Sequence, residues 1–292
     1  MFLTVCLNPT LQKTLSFSSI TSNAVNRTKV HRFDASGKGI NVTRVLTQLG
    51  KKVVHLTHLG GDLKPLFLSL CEQDGLNVEW VESESQIRFC YTMLTENDAG
   101  TTELIETPEP VAAGTELRLL EKFDDILTQP DLKCLIISGT KARGYSNNVI
   151  PTLVRKAKEK KLFVILDIKG DDLLECLKYE PDIIKPNLDE FINTFRLGIN
   201  GSRDLIFEIA QKYKCRIILT NGSQKILVID KENYYEVDVT PVKAVNTTGC
   251  GDSFTAGLAA ALLDKADFNT AISEGIRCGA LNVGLVRPGV IK

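Results

Sequence analysis

Short apolar runs rich in β-branched residues recur along the whole chain, at residues 2–7, 53–59, 132–138, 162–168, 182–185, 216–220 and 226–229. They read as strands buried on both faces. Helical spacing appears between them: Val42, Val45, Leu46 and Leu49 ahead of Gly50; Val149, Ile150, Leu153, Val154 and Ala157; Leu205, Ile206, Ile209, Ala210 and Tyr213. Strands alternating with helices predict an α/β fold, a doubly wound and mostly parallel sheet flanked by helices.

Two stretches break the alternation. Residues 13–34 alternate loosely without a helical period, and residues 86–109 read as short strands around the turn signal Glu96-Asn97-Asp98-Ala99-Gly100. Together they predict a small β-sheet. Open α/β sheets bind ligands beyond the carboxyl ends of their strands, so a sheet inserted there forms a lid over the site. With 292 residues, 43% of them hydrophobic, the chain can bury a large core, and one domain spanning 1–292 is expected.

Charge excludes several classes of partner. Lysine and arginine number 35 against 36 acidic residues, and the KEKK run at 158–161 fits a solvated helix face, so no footprint for nucleic acid is present. The eight cysteines include no CxxC pair, and Cys6 and Cys134 lie in apolar segments. They read as buried thiols of a reducing compartment, not as a disulfide or zinc framework. The three histidines form no metal-ligand cluster. No apolar run approaches ~18 residues and the first residues lack a secretory pattern, so a cytoplasmic protein without a membrane partner is expected.

The strongest chemical signal is Asn246-Thr247-Thr248-Gly249-Cys250-Gly251-Asp252-Ser253-Phe254-Thr255-Ala256-Gly257, running into Leu258, Ala259, Ala261, Leu262 and Leu263 at helical spacing. Glycines opening a helix bring several backbone N–H groups and the positive end of the helix dipole together, which makes Gly249, Cys250 and Gly251 an anion hole. Such a hole suits a phosphoryl group in transfer. Asp252, in the first turn, stands where a base for an incoming hydroxyl would point. An aspartate there also serves as a cap or dipole partner, and its position alone does not separate the two roles.

The whole segment resembles the DTxGAGD signature of the PfkB carbohydrate kinases (the ribokinase-like family), in which this aspartate is the catalytic base. Other landmarks follow in order. Residues 7–14, LNPTLQKT, resemble the LNPALDKT opening of the branch containing 1-phosphofructokinase and tagatose-6-phosphate kinase. Residues 36–42, SGKGINV, are similar to the GGKGINVA segment that contacts the sugar, and residues 185–190 match KPNxxE. The resemblance implies ATP and Mg²⁺, with Lys185, Asn187, Thr220 and Gly222 on the nucleotide side and Asn187 with Glu190 organising the metal indirectly. On the sugar side it implies Gln12, Gly37, Lys38, Gly39, Asn41, Arg88, Gly139 and Asp167, with Lys38 and Arg88 on the substrate phosphate.

Each assignment also has a physical sense. Gly37 and Gly39 permit close backbone approach, either to a ligand or in a plain loop entering a helix near Asn41. Asn187 and Glu190 offer hard oxygens suited to Mg²⁺ through water, or simply a solvated first turn. Asn221-Gly222 is also a favoured two-residue hairpin turn. Cys250 stands where a helix N-terminus could activate a thiol, or merely fills alanine's place.

Four departures bear on the substrate. Gln12 stands where the branch has an aspartate, and the TRxN stretch reads Ile87-Arg88-Phe89-Cys90. The SGSLPPG loop has become residues 138–144, SGTKARG, whose Lys141 and Arg143 either add cations to the site or belong to a solvated loop that no longer closes. Asn246 replaces the usual aspartate. The acceptors implied are fructose 1-phosphate or tagatose 6-phosphate, then fructose 6-phosphate. The alternatives are a catalytically weak sugar-phosphate sensor, or a kinase of an unphosphorylated sugar or nucleoside. A homodimer through the lid strands is also expected.

Overall fold

The structure is a computed structural model and describes residues 1–96, 100–197, 203–231 and 233–292. The first half of the chain carries β1 (Phe2–Val5), β2 (Thr10–Phe17), β3 (Val30–Ser36), α1 (Lys38–Gln48), β4 (Val53–Leu59), α2 (Lys64–Gln73), β5 (Val78–Glu82), β6 (Arg88–Thr95), β7 (Gly100–Ile105), α3 (Thr115–Leu127) and β8 (Cys134–Ser138). Then follow α4 (Val149–Glu159), β9 (Phe163–Asp167), α5 (Gly170–Leu177), β10 (Ile183–Ile184), α6 (Leu188–Phe195), α7 (Arg203–Tyr213), β11 (Arg216–Leu219), β12 (Ile226–Asp230), β13 (Asn233–Val237), α8 (Cys250–Leu263) and α9 (Phe268–Val283).

The apolar runs form one sheet in the order β13-β12-β11-β10-β9-β8-β1-β4-β5. It is parallel from β5 to β11 and antiparallel at β12 and β13. β1, β4 and β8 are buried along their entire length because helices cover both faces. One covering layer packs Leu119, Phe123, Val154 and Phe191 against the sheet, and the other packs Val45, Phe254, Leu258 and Ile272. From β1 the chain first builds outward through β4 and β5, then returns to β8 on the other side of β1. That reversal opens a crevice at the carboxyl ends of β1 and β8, where such sheets bind ligands. No helix among the described residues is long and apolar enough to cross a membrane.

The two irregular stretches form a separate four-stranded sheet, β3-β2-β6-β7. It extends beyond the expected ranges, since β2 starts at Thr10 and β3 runs to Ser36, directly into α1. Its central pair, β2 with β6, is parallel. Residues 97–99 of the expected turn lie outside the described residues, although Thr95 pairs with Gly100 across it. Leu11, Ala35, Ile40, Leu59 and Phe67 join this sheet to the large one.

Three local expectations need correction. α1 begins at Lys38, not near Asn41, because Gly37 (φ 116°) turns β3 straight into the helix. β11 and β12 pair Leu219 with Leu227, so Asn221-Gly222 lies in a longer connection than a two-residue hairpin turn. The edge strands β5 and β13 were not anticipated, since half-buried segments such as VEWVE and NYYEV lack a continuous apolar run.

Candidate active site

The carboxyl ends of the parallel strands, the amino end of α8 and one face of the small sheet enclose a cleft of about 1040 Å³. Every site residue expected from the sequence lines it except Gly39.

α8 starts abruptly. Its N-cap Gly249 has φ 84°, a left-handed conformation that other residues reach only under strain. A Cβ there would also come within 2.8 Å of the Gly289 nitrogen. Asn246 holds the preceding turn by accepting from the Thr248 N–H at 2.9 Å and donating to the Val286 carbonyl at 2.8 Å. The Cys250 N–H makes a long bond of 3.4 Å to the Thr247 carbonyl, and those of Gly251 and Asp252 find no acceptor among the described residues. Unspent donors at a helix start form an anion-binding surface. The Cys250 thiol is half-buried and pushed up to about 12 by burial, with the Asp252 charge adding to the rise. A protonated thiol is a space-filling group, which agrees with Cys250 filling alanine's place rather than being activated by the helix N-terminus.

Asp252 is 4% exposed. Asn41 Nδ2 donates to its Oδ2 at 2.9 Å. Burial lifts its pKa to about 6; Lys38 opposes the shift, and Asp167 adds to it. A carboxylate that takes up protons near neutrality can act as a general base at physiological pH.

Asp167, at the end of β9, organises the cations around this point. Its oxygens lie 3.6 Å from Lys38 Nζ and 3.4 Å from Lys185 Nζ, and they accept from Ser138 Oγ at 3.2 Å and Thr255 Oγ1 at 3.3 Å. Burial alone would raise its pKa, but Lys185 and Lys38 outweigh that and hold it below the usual carboxylate range. In return, Asp167 raises the pKa of Lys38 well above its ordinary value. Lys185 is buried, with its ammonium 3.6 Å from where a Cβ on Gly251 would lie, so a cation flanks the anion-binding turn. Gly139 (φ 97°) packs over the Lys38 stem, and its N–H donates to the Asp167 carbonyl at 3.0 Å. The supports from Ser138 and Thr255 were missed, since hydroxyls separated from Asp167 by 29 and 88 residues leave no sequence signal.

On the β11 side, Asn187 and Glu190 form a capping box: Asn187 Oδ1 accepts from the Glu190 N–H, and Glu190 Oε2 accepts from the Asn187 N–H. Lys169 sits 3.1 Å from the other Glu190 oxygen. The Glu190 pKa falls despite its burial, through the charge of Lys38, the Asn187 N–H and Lys169. Thr220 bridges Asn187 in parallel, and Gly222 follows in the cleft wall. Beyond them Ile226, Val239, Val242, Ile276 and Val283 give an apolar end to the cleft, contributed by segments too far apart to form a motif.

The small sheet forms the opposite wall. Gln12 is buried and its amide donates to Thr92 Oγ1. Arg88 donates from Nη1 to the Glu106 carbonyl at 3.2 Å, while its buried Nε has no partner. Thr248 Oγ1 donates to Glu103 Oε1 at 3.1 Å, joining β7 to the turn before α8. Gly39 is not part of the cleft: a Cβ there would lie 2.8 Å from Cys6 Cβ and 3.0 Å from the Val5 carbonyl. Its absence of side chain serves the packing of α1 on β1. Lys141 pairs with Asp172 of α5 and Arg143 is exposed. The loop between them is anchored by the Ala142 N–H donating to the Leu7 carbonyl at 2.6 Å and by the Arg143 carbonyl accepting from the Val111 N–H at 2.8 Å; neither cation lines the cleft, and Arg143 is solvated.

A profile of the pfkB family of carbohydrate kinases matches residues 10–289, nearly the whole chain. The chain belongs to this family. Among curated relatives, a tagatose-6-phosphate kinase of Staphylococcus epidermidis is 29% identical over 290 residues, covering 97% of this chain and 92% of its own length. The fold of this pfkB kinase is shared by the tetrameric inhibited form of phosphofructokinase-2 from Escherichia coli, with a TM-score of 0.85, 23% identity and coverage of 97% of this chain and 93% of that one. A possible 1-phosphofructokinase from Thermotoga maritima gives 0.87 at 22% identity, covering 98% and 92%. These likenesses agree with the 1-phosphofructokinase and tagatose-6-phosphate kinase branch of the family.

Proposed function

We propose that this pfkB kinase transfers the γ-phosphoryl group of ATP to a hydroxyl of a small sugar phosphate of the fructose 1-phosphate or tagatose 6-phosphate class. The observation that carries the reading is Asp252: a buried carboxylate with its pKa lifted to about 6, beside the unspent N–H groups of Gly251 and its own backbone. Asp252 takes the proton from the acceptor hydroxyl as its oxygen bonds to the γ-phosphorus and the bond to the ADP oxygen breaks. Charge spread over the transferring group falls on the amino end of α8, with Lys185 alongside.

The remaining roles belong to the same reading. Lys185, Thr220 and Gly222 line the phosphate path, and the apolar end at Val239, Val242 and Ile276 suits an adenine ring. Gly37, Asn41, Gly139 and Asp167 border the sugar. Gln12 offers a neutral oxygen to a sugar hydroxyl, and Arg88, which lines the cleft from the small sheet, takes the acceptor's phosphate. Lys38, already paired with Asp167, adds cationic charge near the reacting groups.

The donor set fits Mg²⁺ only in part. Among the described residues no cluster of three acidic, histidine or cysteine side chains forms a cage, and both Asn187 Oδ1 and Glu190 Oε2 are spent on capping. Such a site suits an ion held mainly by nucleotide phosphates and water, with Asn187 and Glu190 at its outer edge. When bound, the ion neutralises phosphate charge.

The small sheet acts as a lid over the one catalytic domain. Its β7 edge exposes Leu104 and Ile105, which favours pairing with a second copy as a homodimer. ADP release with Mg-ATP against a panel of sugars and sugar phosphates, wild type beside Asp252→Asn, tests the reading. Turnover of a ketohexose phosphate that the variant loses supports it. Binding of one without any turnover replaces it with a sugar-phosphate sensor.

A further inference from the structure

We infer that Arg44 is a positioning residue for phosphoryl transfer: by donating to Asn41 Oδ1 it obliges the Asn41 amide to turn its N–H toward Asp252. The inference rests on Asp252 being the base.

The two ends of a carboxamide have nearly the same shape, so packing alone does not choose which faces a neighbour. Hydrogen-bond partners choose. Arg44 Nη1 lies 3.0 Å from Asn41 Oδ1 and can only donate, and Ser36 Oγ donates to the same oxygen at 3.3 Å. The amide nitrogen is therefore the end left for Asp252 Oδ2, 2.9 Å away. Reversed, the carbonyl oxygen would face a carboxylate oxygen, an arrangement that holds only when Asp252 carries a proton and is no base.

The guanidinium cannot swing away. Arg44 is 2% exposed; its Nε donates to Asp74 Oδ2 at 2.9 Å, Nη1 also to the Pro288 carbonyl at 3.3 Å, and Nη2 to the Ala35 carbonyl. Asp74, just after α2, is shared with Arg287 of the carboxyl-terminal segment, and Arg287 lies 2.8 Å from Asp34 on β3. Three distant parts of the chain thus converge to set one amide. The charged and titratable groups that also face Asp252 are Lys38 on α1, Asp167 on β9, Lys185 after β10, Cys250 in its own first turn and Cys6 after β1, and Asn41 is the side chain that hydrogen-bonds it.

The test is the pH profile of kcat/KM for Arg44→Gln, whose amide can accept as well as donate. With the choice of amide face lost, the acid limb is expected to move up by about one pH unit. With the limb moving from about 6 to about 7, kcat falls only about twofold at pH 7 but roughly tenfold well below pH 6, while KM for both substrates stays within about threefold. A limb at the wild-type pH, with kcat reduced only in proportion to folded protein, overturns the inference. If Arg44→Gln does not fold, Asn41→Ala and the donor-only Arg44→Lys decide: a limb raised in the first and unmoved in the second supports it, and any other pairing overturns it. Asp252→Asn that still turns over substrate would instead defeat the base assignment on which this stands.

Discussion

The two walls of the cleft are built differently. On the large-sheet wall nearly every polar group has a partner: Asp167 engages two lysines and two hydroxyls, Asn41 is held by Arg44 and Ser36, and Gly249 is confined by the carboxyl-terminal segment. The small-sheet wall is sparse. Gln12 has Thr92, Arg88 keeps an unpartnered Nε, and the contact from Glu103 to Thr248 reaches across to the turn before α8. Preorganised dipoles stabilise developing charge without reorganising, so chemistry belongs on the rigid wall, while groups left open on the other wall can be completed by a substrate.

The sharpest way to break this contrast is Asp252→Asn, expected to lower kcat by roughly 10³-fold while leaving nucleotide binding in place. Turnover and isothermal titration with ATP check both halves. The same variant should be the more stable protein at alkaline pH. Asp252 has a folded pKa near 6 against an ordinary 3.8, so the folded state holds the proton more tightly, and stability present below the ordinary value is lost as pH rises through 6. Removing the charge recovers it, by about 1–3 kcal/mol at pH 8 and little at pH 4, as read by urea unfolding. An equal difference at both pH values would mean that burial does not perturb Asp252.

Next comes Gly249→Ala, placed in a left-handed turn against backbone, which should cost about 2–4 kcal/mol of stability by the same denaturation assay. A neutral outcome would show that the turn before α8 is not confined. On the other wall, Arg88→Gln should raise KM for a phosphorylated acceptor by about tenfold with KM for ATP unchanged. A comparable rise for ATP would move Arg88 out of the acceptor subsite. The smallest effect belongs to Lys141→Met, which removes an ion pair with Asp172 away from the open groups; KM for either substrate should shift less than about threefold. A larger acceptor effect would make this loop part of the specificity wall.

The asymmetry also accounts for what was readable beforehand. Asp252 and the turn before it occupy consecutive positions, Lys185, Asn187 and Glu190 fall within six residues, and a helix start is a local event whose consequences for charge can be inferred from a few residues. Gly37 and Gly39 show where such inference stops: the same residue type, two positions apart, turns the chain in one case and makes room for a strand in the other. Cys250 is a second instance, since the helix dipole argues for an activated thiol and burial reverses it. The grouping of Asp167 with Lys38 and Lys185, the relay from Arg44, and the apolar end at Val239 and Ile276 join segments tens to hundreds of residues apart.

Burial periodicity and helix-start chemistry are short-range properties, and they were enough to specify an α/β architecture, a small second sheet and an anion-binding turn with a carboxylate at its edge. The parallel pairing of β2 with β6, the pKa of Asp252 and the orientation of the Asn41 amide depend on which remote groups share a dry, crowded space. Charge–charge and hydrogen-bond energies change with distance and desolvation over a few ångströms, and no spacing along a chain encodes those.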